Sequence, residues 1–346
     1  MKYLLVFVLL PLCFACSDAH KTDVRTLTYA SPYPPGHPFS QADIAWMESI
    51  EEASEGRIVF DAFWSGSLLS SDMSMMEIRH GVADIGLITP IYARGGTHVL
   101  RTQAGFYGGI ASIDDQVALY KCLAASFPSF NRELEGLKVL AIQGGNFPTL
   151  ITRNTPVNSL DDFSGLRLRV QSEAVALLKE LGADPVNIPM GEVYPALAKG
   201  IIDGVVAPAD TIYSMHFAEV AQHITPVKFS RGAYPARAMS EKVWQSLPAD
   251  IQRIFEEEQA TWEQNLKVYL QEAEQKGLDF ARDNKMTFHS FSQQDQQQFD
   301  QLYNQMARKE AIGLNEFNVD GEAIFQKAQD LIQAGSPIQC NSGAPQ

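Results

Sequence analysis

Two arginines one residue apart, in Leu166, Arg167, Leu168, Arg169 and Val170, are the side chains best placed to do chemistry. On an extended chain this alternation sends both guanidinium groups to one face and the three apolar side chains to the other. A guanidinium is a planar, permanently charged fork that matches a carboxylate with two parallel hydrogen bonds, so the chemistry on offer is anion recognition. The remaining constellations are weaker. His216, Glu219 and His223 would share one face of a helix expected over residues 209–222 and invite zinc, but paired metal histidines usually stand four apart and no further ligand cluster adjoins them. Gly144 and Gly145 lack the lysine and spacing of a phosphate loop and read as a turn or hinge. Glu316, Asn318, Asp320 and Gly321 mimic the start of a calcium loop, yet Lys327 stands where its glutamate belongs, so Asp320 reads as a helix cap. Met73, Met76 and His80 have core spacing. No metal site is expected.

Catalytic signatures are missing as well. The chain contains no G-x-S-x-G elbow, H-E-x-x-H helix, Walker loop or dinucleotide G-x-G-x-x-G. An enzyme would have to assemble scattered residues such as Glu192 and His216, so binding without a cofactor or catalytic residue is the expected role.

The elements around Arg169 form a β-α-β unit over residues 160–208. Ser164 and Gly165 turn into the arginine strand, and Ser172 and Glu173 open a helix over Ala174, Leu177, Leu178 and Leu181 that Gly182 closes. Ile188 continues the sheet, a helix runs from Gly191 to Gly200, and residues 201–206 make the next apolar strand. Ligands in such units bind at the carboxyl ends of the strands, where Arg169 stands, with Arg167 one step back.

Before this unit, residues 25–30 alternate as a strand that stops in the Pro-rich loop 31–38, either a rigid connector or a ligand-facing loop carrying Tyr33. A helix over 40–55 and a strand over 57–63 follow, then a turn at Trp64, a Met-rich helix over 71–80 and a strand over 83–88. Thr89 and Tyr92 follow that strand's carboxyl end, on the same side as Tyr33. Ser112 caps a helix, and residues 139–142 form a strand ended by Gly144, Gly145, Asn146 and Phe147. After the central unit, residues 228–237 make a return strand. A helix that starts within residues 246–250 and runs to Gly277 or Asn284, about 40 Å long, is long enough to cross two domains. A short strand at 287–291 and a glutamine-rich amphipathic helix over 293–310 precede a polar tail.

The chain has 346 residues, 45% of them hydrophobic, ample for two domains with their own cores. Its net charge of -14 argues against nucleic acid or an anionic membrane surface as the main partner, because either needs a basic face. An anionic ligand then requires a focused positive site such as Arg169. The apolar run Leu4 to Ala15 behind Lys2 is too short to span a bilayer and reads as a secretory signal. Residues 12–17 resemble a bacterial lipobox with lipid on Cys16, the only membrane attachment expected, although Cys13 departs from the pattern. A cut after Ala19 is the rival and removes both early cysteines. Either places the mature chain outside the cytoplasm, in the periplasm, where Cys122 and Cys340 form a disulfide that pins the tail or stand as unrelated thiols.

Five stretches together resemble the substrate-binding proteins of tripartite ATP-independent periplasmic (TRAP) transporters. They are the loop before Gly36, His37 and Pro38; the run 81–86; Leu168, Arg169 and Val170; Gly191, Glu192, Val193 and Tyr194; and Asp203 and Gly204 before Pro208. The resemblance implies an α/β, two-domain periplasmic-binding-protein fold, type II-like, with hinge strands and a long domain-spanning helix. On that basis residues 24–146 and 233–272 make one domain, 147–232 and 273–335 the other, 1–16 a signal peptide and 336–346 a loose tail. It further implies closure on a small organic acid, delivery to small and large membrane permease subunits, and a two-pronged salt bridge from Arg169 to the ligand carboxylate. Arg169 paired with Glu192 would be the structural alternative.

Two departures stand out. Ala207 precedes Pro208 where many relatives carry asparagine, and Thr149 lies near the place of a second cleft arginine in sialic-acid binders. A cleft less polar than theirs is therefore expected, with Met190, Phe147, Tyr92, Tyr213 and Trp64 as walls, and an aromatic or otherwise apolar monocarboxylate ahead of a dicarboxylate. Asp210 reads a ligand hydroxyl or amine, or caps the next helix. A receptor feeding a sensor kinase and a secreted enzyme are the readings from other classes.

Overall fold

The alternating segments become two β-sheets in the computed structural model, which describes residues 24–93 and 95–340. The signal segment, Cys16 and the rival cut after Ala19 lie outside these residues. The first sheet contains β1 (Arg25–Ala30), β2 (Ile58–Phe63), β3 (Ile85–Leu87), β4 (Leu137–Gln143) and β10 (Tyr234–Ser240), in the order β2-β1-β3-β10-β4. The second contains β5 (Thr149–Thr152), β6 (Arg167–Arg169), β7 (Asp184–Val186), β8 (Gly204–Ala207), β9 (His223–Thr225) and β11 (Thr287–Phe288), in the order β11-β9-β5-β8-β6-β7. The expected unit at 160–208 supplies β6, β7 and β8, all parallel. Each sheet is packed on both faces by helices, and each face has its own apolar cluster. That is why β8 is buried throughout instead of alternating.

The chain passes between the sheets twice through short irregular segments, at 144–148 from β4 to β5 and at 226–233 from β9 to β10. In both sheets the two crossing strands are antiparallel neighbours, β4 with β10 and β5 with β9. A third link is the helix Ala249–Asp283, 35 residues long. Its Phe255, Trp262, Leu266 and Leu270 enter the first sheet's core, and its Ala281 enters the second's. Gly277 permits that reach, because a Cβ there would stand 2.0 Å from the Ala209 carbonyl oxygen.

Several expectations change. No continuous helix covers 209–222: the helix Asp210–Ser214 ends, His216 turns in the left-handed region at φ 60°, and His223 belongs to β9. The three residues therefore share no helical face. In the Met-rich segment the helix is Ser74–Arg79, and it buries Met75 and Ile78 while Met76 and His80 are exposed. The return strand begins at Tyr234, leaving Lys228 to Ala233 in the crossing. The last helix, Gly321–Gln333, packs Ile324, Phe325, Ala328 and Leu331 against Phe106 and Leu119 of the first sheet's core. The tail is not loose as far as Cys340: Ser336 and Ile338 donate to Asp115, and Cys340 is bonded to Cys122. Ser112 and Asp320 cap their helices as expected.

Candidate site between the two sheets

Arg169 ends β6 with its side chain fully buried. Nε donates to the Ile188 carbonyl at 3.0 Å, Nη1 makes a longer 3.5 Å contact with the Val206 carbonyl, and Nη2 donates to the Tyr92 hydroxyl in a short bond. Tyr92 belongs to the 3-10 turn Pro90–Tyr92 beyond β3, so this last bond joins the second sheet to the first. No carboxylate among the described residues forms an ion pair with Arg169. Glu192 is exposed and unconnected to it. Arg167, by contrast, points outward to Asp184 at 3.0 Å. A buried guanidinium without a counter-ion is costly, and an anion entering the cleft relieves that cost.

The surroundings of Arg169 are aromatic and polar. Tyr33 meets His37 in a tilted contact with ring centroids 4.2 Å apart and meets Phe39 edge-on at 5.2 Å. Burial pushes the Tyr33 hydroxyl well above its ordinary range, as do Tyr92 and Tyr234, while Arg169 and Arg231 pull it back. Tyr234 is pushed up to about 12 by burial, with Arg231 opposing. Burial holds His37 down at about 3, helped by Arg237 and Arg231, so it is neutral and its Nδ1 accepts from the Phe39 amide. Burial also raises Glu173 and Asp210, and both feel Arg231.

Beneath this layer Asp43 accepts two bonds from Arg237, at 2.7 and 2.9 Å, one from the Trp262 indole at 2.8 Å, and one from Tyr29. Arg237 also donates to Gln143, which in turn donates to Tyr234. The long helix is thereby tied through Trp262 to the floor on which Tyr234 stands.

The other expected site residues divide. Met190 and Ala207 are buried beside the Arg169 contacts at Ile188 and Val206. Trp64 is half-buried against Tyr29, with ring centroids 5.4 Å apart. Asp210 accepts from Asn146 at 3.2 Å at the start of its helix. Thr89 commits its hydroxyl to the Ser71 carbonyl, and Thr149 commits its own to Thr225. Phe147 lines a different groove of about 630 Å³ with Lys228, Phe229 and Tyr303. Tyr213 is 39% exposed, packed on Phe280 and under the Lys276 ammonium. Arg231 in the 226–233 crossing is a second buried guanidinium, whose Nη1 donates to the Asn146 carbonyl at 3.3 Å. Only its position between two strands, not any local pattern, could have signalled this.

A two-lobed α/β body with two crossing segments, a shared long helix and an unpaired guanidinium in the cleft has the architecture of a solute-binding receptor. The chain belongs to the bacterial extracellular solute-binding proteins, family 7, whose profile matches residues 29–312. It is similar to the C4-dicarboxylate-binding periplasmic protein DctP of Rhodobacter capsulatus, 30% identical over 49% of this chain and 51% of that protein. It is also similar to the sialic acid-binding periplasmic protein SiaP of Vibrio cholerae, 28% identical over 58% of this chain and 62% of that protein. These matches therefore span about half to two thirds of the curated relatives' length. Among solved structures, the TRAP solute-binding protein of Rhodoferax ferrireducens, holding copurified benzoate, superposes with a TM-score of 0.82 at 22% identity, over 90% of this chain and 98% of that one. Among the described residues no helix is long and apolar enough to cross a membrane.

Proposed function

We propose that this protein is an extracytoplasmic receptor that closes its two lobes on a small organic carboxylate and hands it to a TRAP permease made of a small and a large membrane subunit. Arg169 pairs with the ligand carboxylate. The single observation that carries this reading is the buried Arg169 guanidinium, oriented by the Ile188 carbonyl and without a carboxylate partner among the described residues. The names of the similar proteins support it, since dicarboxylate, sialic acid and benzoate share a carboxylate. Tyr33, Tyr92 and Trp64 supply ring faces, with Met190 and Ala207 as apolar wall and Asp210 facing the crossing segments. These faces favour a ring-bearing acid over a short aliphatic one. The receptor works in the periplasm, held to the membrane by lipid on Cys16.

Native mass spectrometry of the protein purified without refolding tests this reading. Release of a small organic acid from the folded chain is the expected result. A chain that carries no acid and gains none from a panel of carboxylates would refute it.

A further inference from the structure

Arg231 is 5% exposed, and its guanidinium is only partly committed within the protein. It lies on Gly145 of the other crossing segment so closely that a Cβ there would stand 2.5 Å from both Nε and Cζ. Gln116 fixes that glycine with two bonds, donating to its carbonyl at 3.1 Å and accepting from its amide at 2.8 Å. Nη1 of Arg231 donates to the Asn146 carbonyl at 3.3 Å, and Asn146 holds Asp210 and the Leu270 carbonyl. The buried Nε has no partner. Glu173, Asp210 and Glu274 feel the charge of Arg231, yet none forms an ion pair with it, and burial pushes all three carboxyls towards their neutral forms. Arg169 reaches the Val206 carbonyl near the end of β8, and Arg231 reaches Asp210, three residues past that end, through Asn146, so both guanidinium groups stand at the carboxyl end of the same strand.

We propose that Arg231 is a second ligand-reading side chain, which takes an oxygen acceptor at the far end of the acid whose carboxylate Arg169 holds. The natural ligand then carries a second oxygen-bearing group, a carboxylate or hydroxyl. This rests on the receptor reading above, and it replaces the expected apolar cleft with one that has two positive readers. Placement on the crossing segment has a further effect: a ligand bridging both arginines ties the second lobe to the hinge, so the second group favours the closed form.

The test uses matched acids: butyrate with succinate, benzoate with isophthalate, and benzoate with 3-hydroxybenzoate, titrated calorimetrically into the full chain. The wild type should prefer the bifunctional member of at least one pair by about tenfold to a hundredfold, the range of a charge-assisted hydrogen bond. Arg231→Met should erase that preference by weakening the bifunctional acid far more than the monofunctional one. Arg231→Lys, which keeps the charge and guards against a folding defect in the first variant, should retain part of it. Arg169→Lys should weaken both members of the pair. Equal weakening of both members by Arg231→Met, or an undiminished preference, would overturn the role of Arg231 while leaving that of Arg169 intact. A wild type that binds none of these acids, or an Arg169→Lys chain that binds them all unchanged, would overturn the receptor reading itself.

Discussion

Arg169 donates through Nη2 to the hydroxyl of Tyr92, and with that one bond the second sheet's strand end is joined to the first sheet's. The guanidinium that reads the ligand in our account thus holds a cross-lobe partner of its own.

Tyr92→Phe removes that partner and keeps the ring. The ligand-free chain should open, with a larger radius of gyration in solution scattering, because roughly 1 kcal/mol of closure is lost. Ligand-saturated protein should scatter like the wild type. Identical ligand-free scattering would show that the bond does not hold the lobes.

Asp43 offers a sharper stability test. It is fully buried with four donors around it, two of them on Arg237. Asp43→Ala leaves a buried arginine unpaired and should cost about 3–5 kcal/mol in denaturant unfolding. A loss well under 1 kcal/mol, the scale of a surface pair, would contradict the network.

The disulfide between Cys122 and Cys340 encloses a sequence separation of 218 residues. Cys340→Ser, or reduction of the native chain, should lower unfolding stability by about 2–4 kcal/mol, as expected for a long loop closed in the unfolded state. Melting curves with and without reductant check this, and coincident curves would count against the bond.

Stability should also fall with acid through His37. Its folded form refuses a proton down to about 3, whereas the unfolded chain takes one near 6.5, so the unfolded state binds more protons between those values. Below pH 6.5 this single group contributes a slope of up to about 1.4 kcal/mol per pH unit, and His37→Asn, which keeps a capping side chain, should flatten it. Glu274 works in the opposite sense: burial and Asp210 raise it to about 7, so its contribution is lost as pH rises through 7. Parallel pH profiles for His37→Asn and wild type would contradict the buried neutral imidazole.

The parts of this fold legible in the sequence are those set by short-range pattern. The β6 alternation, the glycine stops around it and the caps at Ser112 and Asp320 all depend on neighbours within a few residues. Residues 209–222 have apolar spacing that suits a helix, while the left-handed turn at His216 answers to packing against the second sheet. Phe147 and Tyr213 qualify as walls by residue type, but which way a side chain faces beyond a strand end depends on the partner lobe. Arg231 lies 62 positions from Arg169, and only the crossings bring both to the end of β8. The disulfide was equally a question of distance, and no spacing could answer it.

The most direct test of the central claim is calorimetric titration of Arg169→Lys with the acid recovered from the native protein. Lysine keeps the charge but loses the fork. Affinity should fall by about tenfold or more, on the order of 1.4 kcal/mol or above, with the melting temperature held close to the wild type. Wild-type affinity in that variant would contradict the account by removing Arg169 from the site.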